Sequence, residues 1–456
     1  MKTTTFASLL LAGTALGSPA QQKRDSVTAQ VNFANNTGKP QHLASGILYG
    51  LPDTPNQIPT KFYTDMGFNY NRAGGAQVPA PGRGWIWGLN EYKKKKRRTF
   101  PDNDTEPFCV RALQLQNLPP ARRKIHLFDP RSLGADGTQN SSASYPGDNG
   151  DWTSWDNYLT HLLSDIKANG MTDGLIIDIW NEPDLTYFWN RDQTQYLQMW
   201  GRTFHRLRSE LAGVELSGPA SAGEPLPSNN WWKNWASFAA TNKSIPDQYA
   251  WHMEGGGGDL LSAQAGLVYW QKTYGLPGRP ININEYAVLD EQVPAGTAWW
   301  IGQLERVNAV GLRGNWLSGW KLHDLLASLL SKPNADNSNY DPKGTGYFPN
   351  GDYQVYKYYN LNMTGHRVGT LPSSDLKLDA YATVGDDRVA RVLVGVRIAK
   401  GTWQLQLNKL SALGLPTSGT LNVHTWGFPV ASNVHYGQVD GPKDLGWYGH
   451  AYSGTR

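Results

Sequence analysis

The stretch Leu175–Asp184, LIIDIWNEPD, constrains this chain more than any other. Five apolar or aromatic positions and one Asp run up to an Asn-Glu-Pro turn. Apolar side chains on both faces of Leu175–Trp180 predict a strand covered on both sides, as in a parallel sheet. Pro183 has no N–H with which to continue a ladder, so Glu182 is held where the strand ends. In a barrel of parallel strands, that C-terminal rim is where catalytic groups collect. A second segment of this kind lies 285 − 182 = 103 residues further on: Arg279–Val288, RPININEYAV, a short apolar strand with Glu285 at its end.

Other strand signals surround these two. In order they are His42–Leu51, Gly67–Arg72, Lys124–Asp129, Leu175–Trp180, Val214–Gly218, Gln248–His252, Pro280–Glu285 and Gly311–Gly319. Thr60–Met66 reads as a short helix. Trp152–Gly170 reads as an amphipathic one, with Trp155, Tyr158, Leu159, Leu162, Leu163 and Ile166 at helical spacing. Thr153 suits its start and Gly170 its stop. Asp192 with Gln195 resembles a capping box ahead of a stripe of Tyr196, Met199, Trp200, Leu207 and Leu211. A further helix is expected over Ala298–Val310. Eight strands separated by mostly helical stretches predict an α/β fold, a (β/α)8 TIM barrel over residues 41–365.

From 366 to 456 the pattern changes to short alternating strands: Tyr381–Val384, Val389–Val396, Trp403–Leu407 and Leu421–Trp426. Turn residues separate them, which predicts a small antiparallel β-sandwich. The N-terminal segment 25–40 contains the alternating strand Val27–Phe33 and is expected to join it. No linker rich in Ser, Thr and Pro separates the two parts, so the sandwich should be docked.

The first 24 residues read as a signal peptide with a possible propeptide. Lys2, the apolar Phe6–Leu16 and the small residues Gly17-Ser18-Pro19-Ala20 fit that pattern, and Lys23-Arg24 looks like a dibasic processing site. No later run of ~20 apolar residues would span a bilayer. Asn-x-Ser/Thr sequons at Asn35, Asn103, Asn140, Asn242 and Asn362 agree with a secreted, extracellular glycoprotein. The single Cys109 has no partner for an intrachain disulfide and reads as a buried small hydrophobe. A formal charge of +4 is too mild to imply nucleic acid. Lys93–Arg98, KKKKRR, reads as a solvated face, with contact to an acidic polysaccharide as the functional option. The 19 Trp and 22 Tyr suit either a large aromatic core or surfaces that stack on sugar rings.

On these residues the chain resembles the retaining glycoside hydrolases of the large (β/α)8 clan, clan A. Asn181-Glu182-Pro183 after the fourth strand and Glu285 after the seventh carry the resemblance; His252, Arg72 and a Trp after the eighth strand support it. Within the clan it most resembles glycoside hydrolase family 39, whose members carry a sandwich built from both chain ends. The resemblance implies that Glu182 is the acid/base and Glu285 the nucleophile, and that Asn181 bonds the sugar 2-hydroxyl.

The chemistry asks for such a pair on its own account, two carboxyls ~5 Å apart across the scissile bond. Arg72 is expected to lie close to Glu285 and keep it ionised. His252 and Tyr286 are expected to tune the site, and Trp316 or Trp320 to form the floor on which a sugar stacks. Asp178 reads as a buried structural acid. The loops expected to choose the sugar are Gly74–Gly88, Gly134–Asp151, Gly223–Trp235 and Glu254–Asp259. No cofactor is expected, and no metal, because no His/Asp/Glu cluster has ligand spacing along the chain. The expectation is a monomeric secreted hydrolase acting on O-glycosidic bonds of a cell-wall polysaccharide or oligosaccharide. A non-catalytic carbohydrate binder or structural cell-wall protein on the same barrel is the alternative.

Overall fold

A computed structural model describes residues 2–5, 27–73 without Asp53 and Pro55, 124–127, 145–255 without Asn169, and 258–453. Lys93–Arg98, Cys109, Asn103, Asn140 and all of the 74–88 loop lie outside these residues. In chain order the strands begin with β1 (Lys2–Thr5) and β2 (Thr28–Gly38). Eight parallel strands then close a ring: β3 (Gly46–Leu48), β4 (Tyr70–Ala73), β5 (Lys124–Leu127), β6 (Leu175–Asp178), β7 (Glu215–Ser221), β8 (Gln248–Met253), β9 (Ile281–Tyr286) and β10 (Ala309–Arg313). β10 closes it by pairing with β3, Leu312 opposite Gly46. Every expected barrel strand is therefore present.

The helices of the ring are α1 (Thr60–Asp65), α2 (Thr153–Ala168), α3 (Gln193–Glu210), α4 (Asn230–Asn242), α5 (Leu260–Tyr274) and α6 (Pro294–Val307). The six-residue stripe expected on α2 is buried in full, and each such side chain contributes about 1.5–3 kcal/mol. On α3, Asp192 Oδ1 accepts from the Gln195 backbone N–H at 2.8 Å. The Gln195 side chain turns instead to Pro146 O and Asp148, so only half of the expected capping box forms. α4 corrects the loop expected at 223–235. Asn229 caps it, and Trp232, Trp235, Ala236 and Ala239 form its buried face at helical spacing. The expected Ala298–Val310 helix starts earlier, with Pro294 in its first turn, and stops at Asn308, whose φ of 53° is left-handed. That stop moves the eighth strand from the expected 311–319 to 309–313.

Tryptophan fills the layer between strands and helices. Among the described residues eight Trp, including Trp155, Trp180, Trp200, Trp232, Trp235 and Trp251, are fully buried. Their indoles pack edge to face, as Trp200 does on Trp235 at 5.5 Å between centroids. Several N–H groups find partners, such as Trp155 Nε1 to Thr203 Oγ1 at 2.8 Å and Trp200 Nε1 to Ser244 O at 3.0 Å. Much of the aromatic excess among the described residues is thus core, where each ring buries a large apolar area.

After the barrel come a two-stranded ribbon, β11 (Leu330–Ser331) and β12 (Phe348–Pro349), and α7 (Gly351–Asn362). The remaining strands are β13 (His366–Leu371), β14 (Leu378–Val384), β15 (Ala390–Val396), β16 (Gln404–Asn408), β17 (Ser418–Gly427) and β18 (Lys443–Ser453). They form one eight-stranded sheet with β2 and β1, in the order β16-β2-β13-β14-β15-β1-β17-β18. β2 lies antiparallel to β13 and parallel to β16. Of the segment read as a leader, only Lys2–Thr5 is described, as the strand between β15 and β17.

The sheet docks on α6. Trp299 Nε1 donates to Leu376 O at 3.1 Å, and Arg306 and Gln303 both bond the buried carboxylate of Asp379. Gly395 lies so close to the α6 backbone that a Cβ there would stand 2.2 Å from Trp299 N, so the contact admits no side chain.

Candidate active site

The C-terminal ends of β6 and β9 are three strands apart round the ring. Each meets the mouth through a backbone irregularity. In β9, Asn282 lies opposite Ala250 and Glu285 opposite His252, so three steps on β9 match two on β8. On its other side, Ile283 lies opposite Gly311 and Tyr286 opposite Arg313, the same excess of one. Both neighbours therefore place a β-bulge at Asn284–Glu285. A bulge re-aims the side chain next to it. Asn284 Nδ2 reaches Asp178 Oδ2 inside the barrel at 3.1 Å, and the next residue, Glu285, also faces inward instead of outward.

Glu182 sits on the second irregularity. Its φ is +43°, left-handed for a residue with a Cβ, a conformation that costs energy and persists where surrounding bonds over-determine it. Its N–H donates to Ala220 O at 2.8 Å, and Ala220 is itself left-handed, at the extra residue of β7. Asp184, next but one, accepts from the N–H groups of Ala222 and Gly223, each at 2.8 Å. Sequence reading missed this acid, which follows the Asn-Glu-Pro motif directly. It fixes the loop after β7, and its burial pushes its carboxyl above the usual range although the two amides pull it down.

Four expected residues converge on the pair. Arg72 Nη1, from the end of β4, donates to Glu285 Oε1 and, at 3.4 Å, to Asn181 Oδ1. Arg72 Nη2 stands 3.9 Å from Asp178 Oδ2. His252 Nδ1 lies 2.8 Å from Glu182 Oε1 and 3.7 Å from Glu285 Oε2, linking the two acids. Burial alone would pull this imidazole down, but Glu285 and Glu182 outweigh it and hold it above its ordinary value. Asn181 is buried, and its Nδ2 has no hydrogen-bond partner among the described residues.

One expectation needs correction. Tyr286 does not reach the mouth: it is fully buried on the outer side of β9, where its hydroxyl bonds Ala44 O at 2.9 Å and Tyr356 Oη at 2.7 Å. The bulge that turns Glu285 inward leaves its neighbour pointing out. The expectation of no metal considered spacing along the chain alone; in space, Glu182, His252 and Glu285 present donor atoms within 4.8 Å of one another. They come from three strands, so linear spacing holds no trace of the cluster.

The two Trp candidates lie on the loop after β10. Trp316 is 43% exposed and anchored, its Nε1 donating at 3.0 Å to the carbonyl of Ala287, two residues past Glu285. Trp320 is 76% exposed on the short helical turn Gly319–His323. Glu254, two residues past His252, opens one of the loops expected to choose the sugar. Its Oε1 comes 2.3 Å from where Gly314 would carry a Cβ, so the approach depends on that glycine.

A closed barrel with carboxylates at the ends of its fourth and seventh strands has the architecture of the clan A glycoside hydrolases. Comparison with solved structures agrees. The chain is similar to the protein N2152 of Neocallimastix frontalis, at 21% identity and a TM-score of 0.63 over 94% of each chain. It is similar to the family 39 glycoside hydrolase of Xanthomonas axonopodis pv. citri, at 15% identity and a TM-score of 0.50 over 90% of this chain and 83% of that one. It is also similar to BuGH86, solved in complex with neoagarooctaose, at 13% identity and a TM-score of 0.54 over 93% and 76%. In fold the chain thus resembles family 39 and related clan A enzymes. No family model and no curated protein sequence matches it.

Proposed function

We propose that this chain is a secreted retaining glycosidase that cleaves O-glycosidic bonds of a plant or fungal cell-wall polysaccharide or oligosaccharide by double displacement. The observation that carries the reading is the Glu182–Glu285 pair, with donor oxygens within 4.8 Å at facing strand ends. A separation near 5 Å leaves room for a sugar carbon between two carboxyls but not for an added water, which is the retaining geometry.

Arg72 takes Glu285 Oε1 and leaves Oε2 to attack the anomeric carbon. As that bond forms, the bond from carbon to the leaving oxygen breaks, and Glu182 gives the oxygen its proton. Glu182 then takes a proton from water, the water oxygen bonds the anomeric carbon, and Glu285 departs as carboxylate. Asn181 Nδ2 is the free donor for the sugar 2-hydroxyl, and the anchored Trp316 is the stacking face. BuGH86, which holds an oligosaccharide, supports the carbohydrate class. Of the sequons within the described residues, Asn35 and Asn362 are exposed and suit glycans. Asn242 is half-buried and engaged by His205 at 3.0 Å.

The test is a panel of activated 2-deoxy-2-fluoro glycosides followed by peptide mapping. The label is expected on the peptide carrying Glu285, and the first product seen by NMR should keep its anomeric configuration. Label elsewhere, or an inverted first product, would sink the proposal.

A further inference from the structure

Glu182, His252 and Glu285 offer more than a carboxylate pair. His252 Nδ1 is 2.8 Å from Glu182 Oε1 and 3.7 Å from Glu285 Oε2, and all three donors lie within 4.8 Å. A tetrahedral zinc ion with bonds of about 2.0–2.1 Å holds its donors about 3.3 Å apart. The observed separations bracket that value, so closing the set takes a small side-chain rotation. Glu182, with 13% of its side chain exposed, has the freedom for it, while His252 at 1% is fixed.

Charge favours the same outcome. Three carboxyl groups, those of Asp178, Glu182 and Glu285, gather around the single guanidinium of Arg72, and a divalent cation displaces any proton that its ligands hold. Arg72 occupies Oε1 of Glu285, and Oε2 is the oxygen nearer His252.

We infer that the mouth of the barrel binds one borderline divalent cation, of the Zn2+ type, through His252 Nδ1, Glu182 Oε1 and Glu285 Oε2. The nitrogen donor selects against Mg2+ and Ca2+, which prefer all-oxygen shells. Dedicated zinc centres orient each His by a bond from its second ring nitrogen. Here His252 Nε2 has no such partner among the described residues. The ion is therefore an exchangeable inhibitor and not a resident cofactor. Its effect on turnover rests on the glycosidase reading; its binding does not.

Calorimetric titration of the full-length protein with ZnCl2 tests this. One Zn2+ per chain is expected, with no response to MgCl2. Glu182→Gln and His252→Asn should each weaken binding about 10-fold or more, as loss of groups in a metal site does. Circular dichroism checks that each variant folds, and either one alone suffices. His424→Ala is the control, because His424 Nε2 lies 2.8 Å from Asp444 Oδ1 on the β17–β18 ribbon and is another His–carboxylate pair. Absence of a Zn2+ site, its persistence in both mouth variants, or its loss in the His424 variant overturns the inference. Where turnover of a soluble glycoside is measured, Zn2+ should inhibit competitively and EDTA should restore activity. Zn2+ binding in a chain without turnover would leave the cation site standing and remove the glycosidase reading.

Discussion

At the scale of single residues, the two acids differ in what they rest on. Glu285 is held by a guanidinium, whereas Glu182 is held by an imidazole and a strained backbone. General acid catalysis contributes about 10²–10⁴-fold and matters most when the leaving group is poor. Glu182→Gln should therefore cut turnover of a natural glycoside by about that factor and hardly slow the first step on a nitrophenyl glycoside. Equal losses on both, measured as pre-steady-state rates, would remove Glu182 from its role. A second acid gives a pH prediction. Burial, with Asp259 adding to it against the pull of Arg397, pushes the Glu224 carboxyl up to about 7. The folded state then holds a proton that the unfolded state has released, so stability falls as pH rises from about 4.5 to about 7. Glu224→Gln should raise Tm at pH 7.5 and leave it unchanged at pH 4. A variant with the same offset at both values would contradict the assignment.

At the scale of elements, the site depends on one additional residue in β9. Removing Asn284 would restore two-for-two pairing with β8 and β10 and draw Glu285 down by about 3.3 Å, one strand step, beside Asp178. A displacement of 1 Å already costs about 10²-fold, so the deletion variant should fold, by circular dichroism, and show no measurable turnover. Retained turnover would mean that the bulge does not place the nucleophile. Much of the element plan was legible. The stripes of α2 and α3 and the runs at β6 and β9 follow from apolar periodicity, because burial selects side chains one at a time. The bulge was not legible: ININEY reads as an ordinary strand, and the additional residue shows only against its partners' register. Hence Tyr286 was expected in the mouth and lies outside it. α4 was legible in principle, since Trp232, Trp235, Ala236 and Ala239 repeat at helical spacing. The segment 223–235 was instead expected to be one of the loops that choose the sugar.

At the scale of the molecule, α6 belongs to both parts. Nearly all of its side chains are buried, between the barrel strands on one side and β14–β15 on the other. Truncation after Thr370 should expose that outer face, at about 1.5–3 kcal/mol for each large apolar side chain, and yield insoluble or inactive protein. A soluble, fully active barrel would show the sheet to be dispensable. Asp379→Ala tests the seam more gently. It leaves Arg306 without its buried partner and should cost about 3–5 kcal/mol, read from urea unfolding of the full chain. The expected docking of the C-terminal strands had only the missing linker behind it. The contacts of Asp379 with Gln303 and Arg306 join residues more than 70 positions apart, which no local pattern announces. The pairing of β2 with β13 adds a consequence in time. The barrel is an insertion between two adjacent strands of the sheet, and Leu371 leaves the ribosome 371 − 38 = 333 residues after Gly38. At about 5–20 residues per second this is an interval of roughly 17–67 s. Throughout it, Ala29, Val31 and Phe33 have an apolar face and no partner strand, so a strand made among the first is among the last to be paired.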